Sequence, residues 1–216
     1  MKISLIAARD LNEAWWKLLR ECLDNGYEYA ISRGSHNEGK KRIELDCAVV
    51  QVTNPGTRPL SPIVPDGVAQ PTSDLYIERD YLPYLLTETV AENEEYTYGK
   101  YLSSQYFKII EMYKTGGYDT NQACATIGDM FSIDMKDPPC MRLVDTRIRY
   151  GKLHWFVYFR SWDLWGGFPS NMGGIQLAKE MMAKELGVED GEIIAFSKGL
   201  HLYDDAIKMA REACRL

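Results

Sequence analysis

Cys140 stands behind Pro138 and Pro139 and in front of MRLVDTRI, a run that reads as a strand. Two consecutive prolines fix φ and remove backbone donors, so the approach to the thiol is stiff and its side chain is aimed from the mouth of an element. Deprotonated, such a sulfur is a nucleophile. A nearby guanidinium would favour that form over a thiol of free pKa about 8.5. Arg160 and Ser161 follow a strand dense in aromatics and suit a phosphate group. Asp163 comes two residues later, Asn171 sits at a helix start, and His201 and Tyr203 alternate on one face of a strand.

Taken singly, each of these residues has a structural explanation. A lone Cys in a strand is usually packing, and Cys22, Cys47, Cys124 and Cys214 are read that way. Arg160 can serve an ion pair, Asn171 can cap a helix, and Tyr203 can pack with a wet hydroxyl. His201 alone would be a hydrogen-bonded structural histidine. Their joint occurrence in the last 77 residues is not predicted by those separate explanations.

The elements that must position them follow from pattern. Residues 2 to 8 read as a strand, followed by a helix over 11–25 that Asp10 caps. IELDCAVVQV reads as one strand, and NPGTRPLSPIVPDGVAQP as a covering loop. From 74 to 98 the pattern is ambiguous: DLYIERDYLPYLL fits a helix broken at Pro83, and ETVAENEEY is acidic and exposed. KYLSSQYFKIIEMYK is helical up to Gly116 and Gly117, and QACATI is a short strand. MRLVDTRI and KLHWFVYFRSW pair through RYG. SNMGGIQLAKEMMAKELG is a helix opened by a Ser/Asn cap, GEIIAFSKGLHLY one strand with a bulge at Gly199, and DDAIKMAREACRL a helix capped by Asp204.

Composition sets limits. With 216 residues the chain can bury about 70 per cent of its unfolded surface, so a single domain over 1–216 is expected and needs no crosslink. A net charge of −6 argues against a broad nucleic-acid or membrane surface. Five scattered cysteines without a C-x-x-C pair indicate neither a disulfide framework nor zinc, and a reducing cytoplasm is expected. Three histidines at 36, 154 and 201 offer no metal ligand set. GGFPSNMGG has neither a dinucleotide-loop spacing nor a Walker lysine.

PPC at 138–140, RSWD at 160–163, GGFPSN at 166–171 and HLY at 201–203 resemble, in order and spacing, the thymidylate synthase family. TYGKYL at 97–102 resembles its Y-G-K segment, and SRGS at 32–35 more weakly its phosphate loop. The resemblance implies an α/β (α+β) fold, a mixed twisted sheet flanked by helices that dimerises sheet to sheet. It implies that Cys140 adds to C6 of the uracil of dUMP and that C5 then attacks a one-carbon unit on a reduced pterin. Arg33, Arg160 and Ser161 would hold the phosphate, Asn171 the uracil edge, and His201 and Tyr203 the ribose 3′-hydroxyl. Asp163 would orient the pterin within the catalytic set, and Tyr98 would assist removal of the C5 proton. For the general-base glutamate, Glu88 and Glu78 both qualify.

Departures from the family pattern also carry information. Asn121 and Gln122 stand where the family has two phosphate arginines given by the partner subunit, leaving Arg33, Arg42, Arg142 and Arg147 as candidates. The tryptophan-bearing folate segment and the C-terminal closing segment have no counterpart. The implied cosubstrate is therefore 5,10-methylene-tetrahydrofolate bound differently, or methylene-tetrahydromethanopterin, with no metal. Rival expectations are a hydroxymethylase that captures water instead of hydride, and a non-catalytic nucleotide-binding protein. Asn171 disfavours dCMP, because cytosine-reading relatives carry Asp there.

Overall fold

The computed structural model describes residues 1–32, 38–90, 92 and 95–215. Strand β1 (Ile3–Ala8) leads into helix α1 (Leu11–Asn25), whose first turn is capped by the Asp10 carboxylate accepting the Glu13 N–H at 2.8 Å. Then come β2 (Tyr27–Ala30), β3 (Lys41–Leu45) and β4 (Cys47–Val52). The expected single strand over 43–52 is two strands. They part at Asp46, whose carboxylate accepts the Lys2 N–H, and they serve different sheets.

A loop with no helix or strand covers 53–73, as expected. The doubtful stretch after it is a helical run: α2 (Asp74–Tyr76), a π turn (Ile77–Tyr81) and α3 (Leu82–Leu86). The Leu82 N–H reaches back five residues to the Ile77 carbonyl, and this widened turn lets Pro83 enter without a break. Helix α4 (Tyr98–Gly116) starts at Thr97, whose hydroxyl accepts the Lys100 N–H, and ends at Gly117 with φ 83°.

After β5 (Cys124–Thr126) and a 3₁₀ turn (Met130–Asp134), β6 (Met141–Arg149) and β7 (Lys152–Phe159) form the expected hairpin through Tyr150 and Gly151. The short β8 (Trp162–Asp163) precedes α5 (Gly167–Leu186). The expected single strand over 191–203 is again two, β9 (Glu189–Ser197) and β10 (Leu200–Tyr203). The chain changes sheet at Gly199; there is no bulge within one strand. Helix α6 (Asp204–Cys214) has no side-chain cap; Asp204 instead accepts the Lys41 N–H at 3.1 Å.

The larger sheet runs β1-β4-β9-β7-β6-β5 and is mixed: β1/β4 and β7/β9 are parallel, the other pairs antiparallel. The smaller one runs β2-β3-β10-β8. Along β7, Leu153, Trp155, Val157 and Phe159 are buried in the layer that also holds α1, α4 and α5. Each fully buried Leu, Val or Phe stabilises the fold by about 2 kcal/mol. The opposite face carries exposed Ile3, Leu5 and Phe196 together with Arg147. The helices α1, α4 and α5 pack on the buried face of the large sheet. No helix among the described residues is long and apolar enough to cross a membrane.

Candidate active site

Cys140 lies half-buried at the end of the proline run, one residue before β6. The strand end beside it is β7, where the Arg160 N–H meets the Cys140 carbonyl at 2.8 Å. Prolines lack an N–H but keep a carbonyl, and Arg160 uses those carbonyls. Its Nε donates to Pro139 O at 3.2 Å, and Nη2 to Pro138 O and, at 3.5 Å, to the Asp137 carboxylate. The guanidinium therefore both holds the loop rigid and lays its charge beside the thiol. With five donors, it keeps others for an anion.

The phenols of Tyr96 and Tyr98 complete the setting. Tyr96 Oη accepts the Cys140 N–H at 3.4 Å, and Tyr98 Oη accepts the Met141 N–H at 3.3 Å. Burial pushes the Cys140 thiol above its ordinary pKa, and Asp137 adds to this; Arg160 and the Tyr96 phenol pull the other way. The arginine acts in the expected direction, yet burial outweighs it. Burial likewise holds the Tyr98 phenol well above its usual range, so it remains a neutral donor and acceptor. Tyr98 owes its place to Gly99, where an added Cβ would stand 1.9 Å from the Thr87 carbonyl oxygen.

A ring of aromatic contacts connects the thiol to Asn171. Tyr98 packs edge-on to Phe159, Phe159 stacks on Trp162 at 3.9 Å, and Trp162 Nε1 donates to Asn171 Oδ1 at 2.7 Å. Asn171 Nδ2 donates to the Tyr81 hydroxyl, and Tyr81 returns through Tyr84 to Tyr98. Asn171 is free for this because α5 starts earlier than the sequence implies. The N-cap residue is Gly166, and the Asp163 carboxylate accepts the N–H groups of Gly166 at 3.0 Å and Gly167 at 2.7 Å; the expected Ser170 and Asn171 lie within the helix.

The small sheet brings the remaining groups. Trp162 N–H bonds Gly199 O and Leu164 N–H bonds His201 O, which fastens the Arg160–Asp163 segment to β10. His201 is 1% exposed, and its Nδ1 lies 2.9 Å from the Gly199 carbonyl. A carbonyl only accepts, so Nδ1 carries the proton and Nε2 presents a lone pair with no hydrogen-bond partner among the described residues. Burial lowers the His201 pKa to about 4, with Arg42 adding to the effect, so the ring is neutral at pH 7. Tyr203 packs edge-on against it at 4.5 Å.

Ser161 is half-exposed beside Arg160. Among the other cation candidates, Arg42 is engaged by Glu44 at 2.8 Å and Tyr29 at 2.6 Å. Arg142 packs under Gly128, and Arg147 lines a cavity of about 210 Å³ with Asn121 on the open sheet face. Glu78 and Glu88 are exposed, and among the described residues no hydrogen bond joins either to Cys140 or Asn171. Arg33 lies outside the described residues. Sequence reasoning missed Tyr81, Tyr96 and Trp162. The available signal was clustering, since six of the fourteen tyrosines fall between 76 and 101.

A half-buried thiol with a guanidinium and a phenol at its side is a setting that suits a nucleophilic sulfur. Comparison with known proteins gives the family. The thymidylate synthase family model matches residues 99–215. A Methanosarcina acetivorans protein described as "Putative thymidylate synthase" is 30% identical over 206 residues, covering 93% of this chain and 89% of the relative. A protein so described from Methanothermobacter marburgensis is 27% identical and covers 97% of both. The deoxyuridylate hydroxymethyltransferase of Bacillus phage SP01 is 42% identical over 92 residues, 40% of this chain and 24% of its own. The chain belongs to the thymidylate synthase family, and its mixed sheets and helices are consistent with that family's fold.

Proposed function

We propose that the protein converts dUMP to dTMP by reductive methylation. The observation that carries this reading is the half-buried Cys140, flanked by Arg160 and Tyr96 and linked to Asn171 through aromatic contacts that end in the Trp162–Asn171 hydrogen bond. Cys140 adds to C6 of the uracil, and the pair of electrons displaced to C5 attacks the one-carbon unit. Loss of the C5 proton breaks the bond from the methylene to the pterin nitrogen. Hydride from the reduced pterin, which is thereby oxidised to the dihydropterin, turns the resulting exocyclic methylene into methyl, and Cys140 leaves C6 as the thiolate. Asn171 pairs with the N3–O4 edge, the His201 lone pair accepts the ribose 3′-hydroxyl proton, and Arg160 with Ser161 meets the phosphate, joined by Arg33. Tyr98 assists departure of the C5 proton; Glu88 or Glu78 would have to reach the site on closure to act as base. Asp163, held by the α5 amides, faces the pterin side.

The likeness to archaeal chains along nearly their whole length supports methylene-tetrahydromethanopterin as the carrier over methylene-tetrahydrofolate. A homodimer packed sheet to sheet is supported by the apolar open face with Ile3, Leu5 and Phe196, where Arg147 would stand at the interface. Release of tritium from C5-labelled dUMP with each carrier, and identification of dTMP, tests the reaction. No release with either carrier would sink it. A hydroxymethyl product would instead favour the second reading, which the phage relative's printed activity motivates. Mass spectrometry after 5-fluoro-dUMP and carrier should find the adduct on Cys140; reversible binding without adduct would indicate a nucleotide-binding protein.

A further inference from the structure

An asparagine side chain ordinarily turns its amide over at little cost, so it reads a donor–acceptor pattern only as well as its neighbours hold it. At Asn171 the neighbours decide the matter. An indole N–H can donate and never accept, so the Asn171 atom 2.7 Å from Trp162 Nε1 is the carbonyl oxygen. The amide nitrogen consequently faces the Tyr81 hydroxyl. Each bond uses one of two lone pairs or one of two hydrogens, leaving one acceptor and one donor, in fixed order, for a ligand.

Both holding groups are themselves immobile. Trp162 is 3% exposed, lies flat on Phe159 with 6° between the rings, and touches Phe168. Its backbone N–H is tied to Gly199 at 2.9 Å. Tyr81 is buried by the close approach of α5 to the π turn, and an added Cβ at Gly174 would stand 2.4 Å from its ring. The glycine and the π turn thereby bring a hydroxyl to a place that a regular helix would not.

We infer that Trp162 and Tyr81 are positioning residues that clamp the Asn171 amide in one orientation and so select a 4-oxo, N3–H pyrimidine over a 4-amino one. The inference rests on the reading of this site as a dUMP site. Uracil offers a donor at N3 and an acceptor at O4, whereas cytosine offers an acceptor at N3 and a donor at N4. An unclamped asparagine matches either pattern by turning over. A clamped one meets cytosine donor to donor and acceptor to acceptor, and such mismatched polar contacts discriminate strongly.

The test compares dUMP and dCMP, by binding and by kcat/KM, in the parent protein, Trp162→Phe and Tyr81→Phe. Trp162→Phe keeps an aromatic ring on Phe159 and removes the N–H. It should lower the dUMP/dCMP ratio about tenfold or more, through KM more than kcat, and Tyr81→Phe should lower it several-fold. A folded Trp162→Phe protein that keeps the parental ratio would overturn the clamp while leaving the dUMP reading intact. Should Trp162→Phe not fold, Tyr81→Phe, which loses only a hydroxyl, decides on the same ratio. A parent that binds both nucleotides equally would overturn the uracil reading and the clamp together.

Discussion

Cys22 and Cys140 are both free thiols, and their surroundings differ. Cys22, in α1, is wholly enclosed; its thiol donates to the Ile43 carbonyl at 3.5 Å, and burial pushes its pKa to about 12. Cys140 is also pushed up by burial, but a guanidinium and a phenol oppose the push. Along β10 successive side chains alternate, so Leu202 and His201 point to opposite faces of the small sheet, and the Leu202 backbone reaches Cys22. Enclosure alone makes a thiol inert. Enclosure with a cation, a hydroxyl and an open side leaves it available to an incoming electrophile.

The sharpest way to break this comparison is to remove each sulfur. Cys140→Ser should cut turnover by about four orders of magnitude, while Cys22→Ala should keep turnover and cost about 1–2 kcal/mol of stability in denaturant unfolding. Turnover surviving in Cys140→Ser would end the covalent account.

On β10, His201 provides a pH signature. Its folded pKa of about 4 lies below the unfolded value near 6.5, so the unfolded chain binds the extra proton. Stability is full above pH 6.5 and falls as pH drops from about 6.5 to 4, by about 3 kcal/mol. In His201→Gln that part of the slope should vanish from the pH dependence of unfolding.

Smaller effects sharpen the contrast at the thiol itself. Iodoacetamide should alkylate Cys140 faster as pH rises into the alkaline range, and Cys22 should stay unmodified over the same range. Arg160→Gln should slow Cys140 alkylation at pH 8 about tenfold, since the charge that favours the thiolate is gone. Tyr96→Phe should slow it about twofold to threefold. Rates unchanged in both variants would mean that the loop, rather than its charges, governs the sulfur.

Much of this site was legible because its motifs are local. The Pro-Pro-Cys lead, the hairpin through Tyr150 and Gly151, and the α1 cap at Asp10 each depend on residues adjacent in the chain. At Asp46 and Gly199 the chain changes sheet where β-propensity runs on and the pattern reads as one continuous strand; which sheet a strand joins depends on distant partners. The start of α5 was misplaced for a similar reason. Asp163 lies four residues before the first helical residue, and only the folded turn shows its carboxylate meeting the amides.

Residue types by themselves determined that a nucleophile, a cation, an amide and an imidazole were available, and that their order matches one family. Which of them meet was decided only by tertiary structure. Trp162 against Asn171, Tyr81 against the same amide and Tyr96 against Cys140 are separated by 9, 90 and 44 positions. The protonated nitrogen of His201 is set by a carbonyl that the chain brings back on itself. Hydrogen-bond direction and desolvation are properties of atoms in contact, and packing, more than composition, brings those atoms into contact.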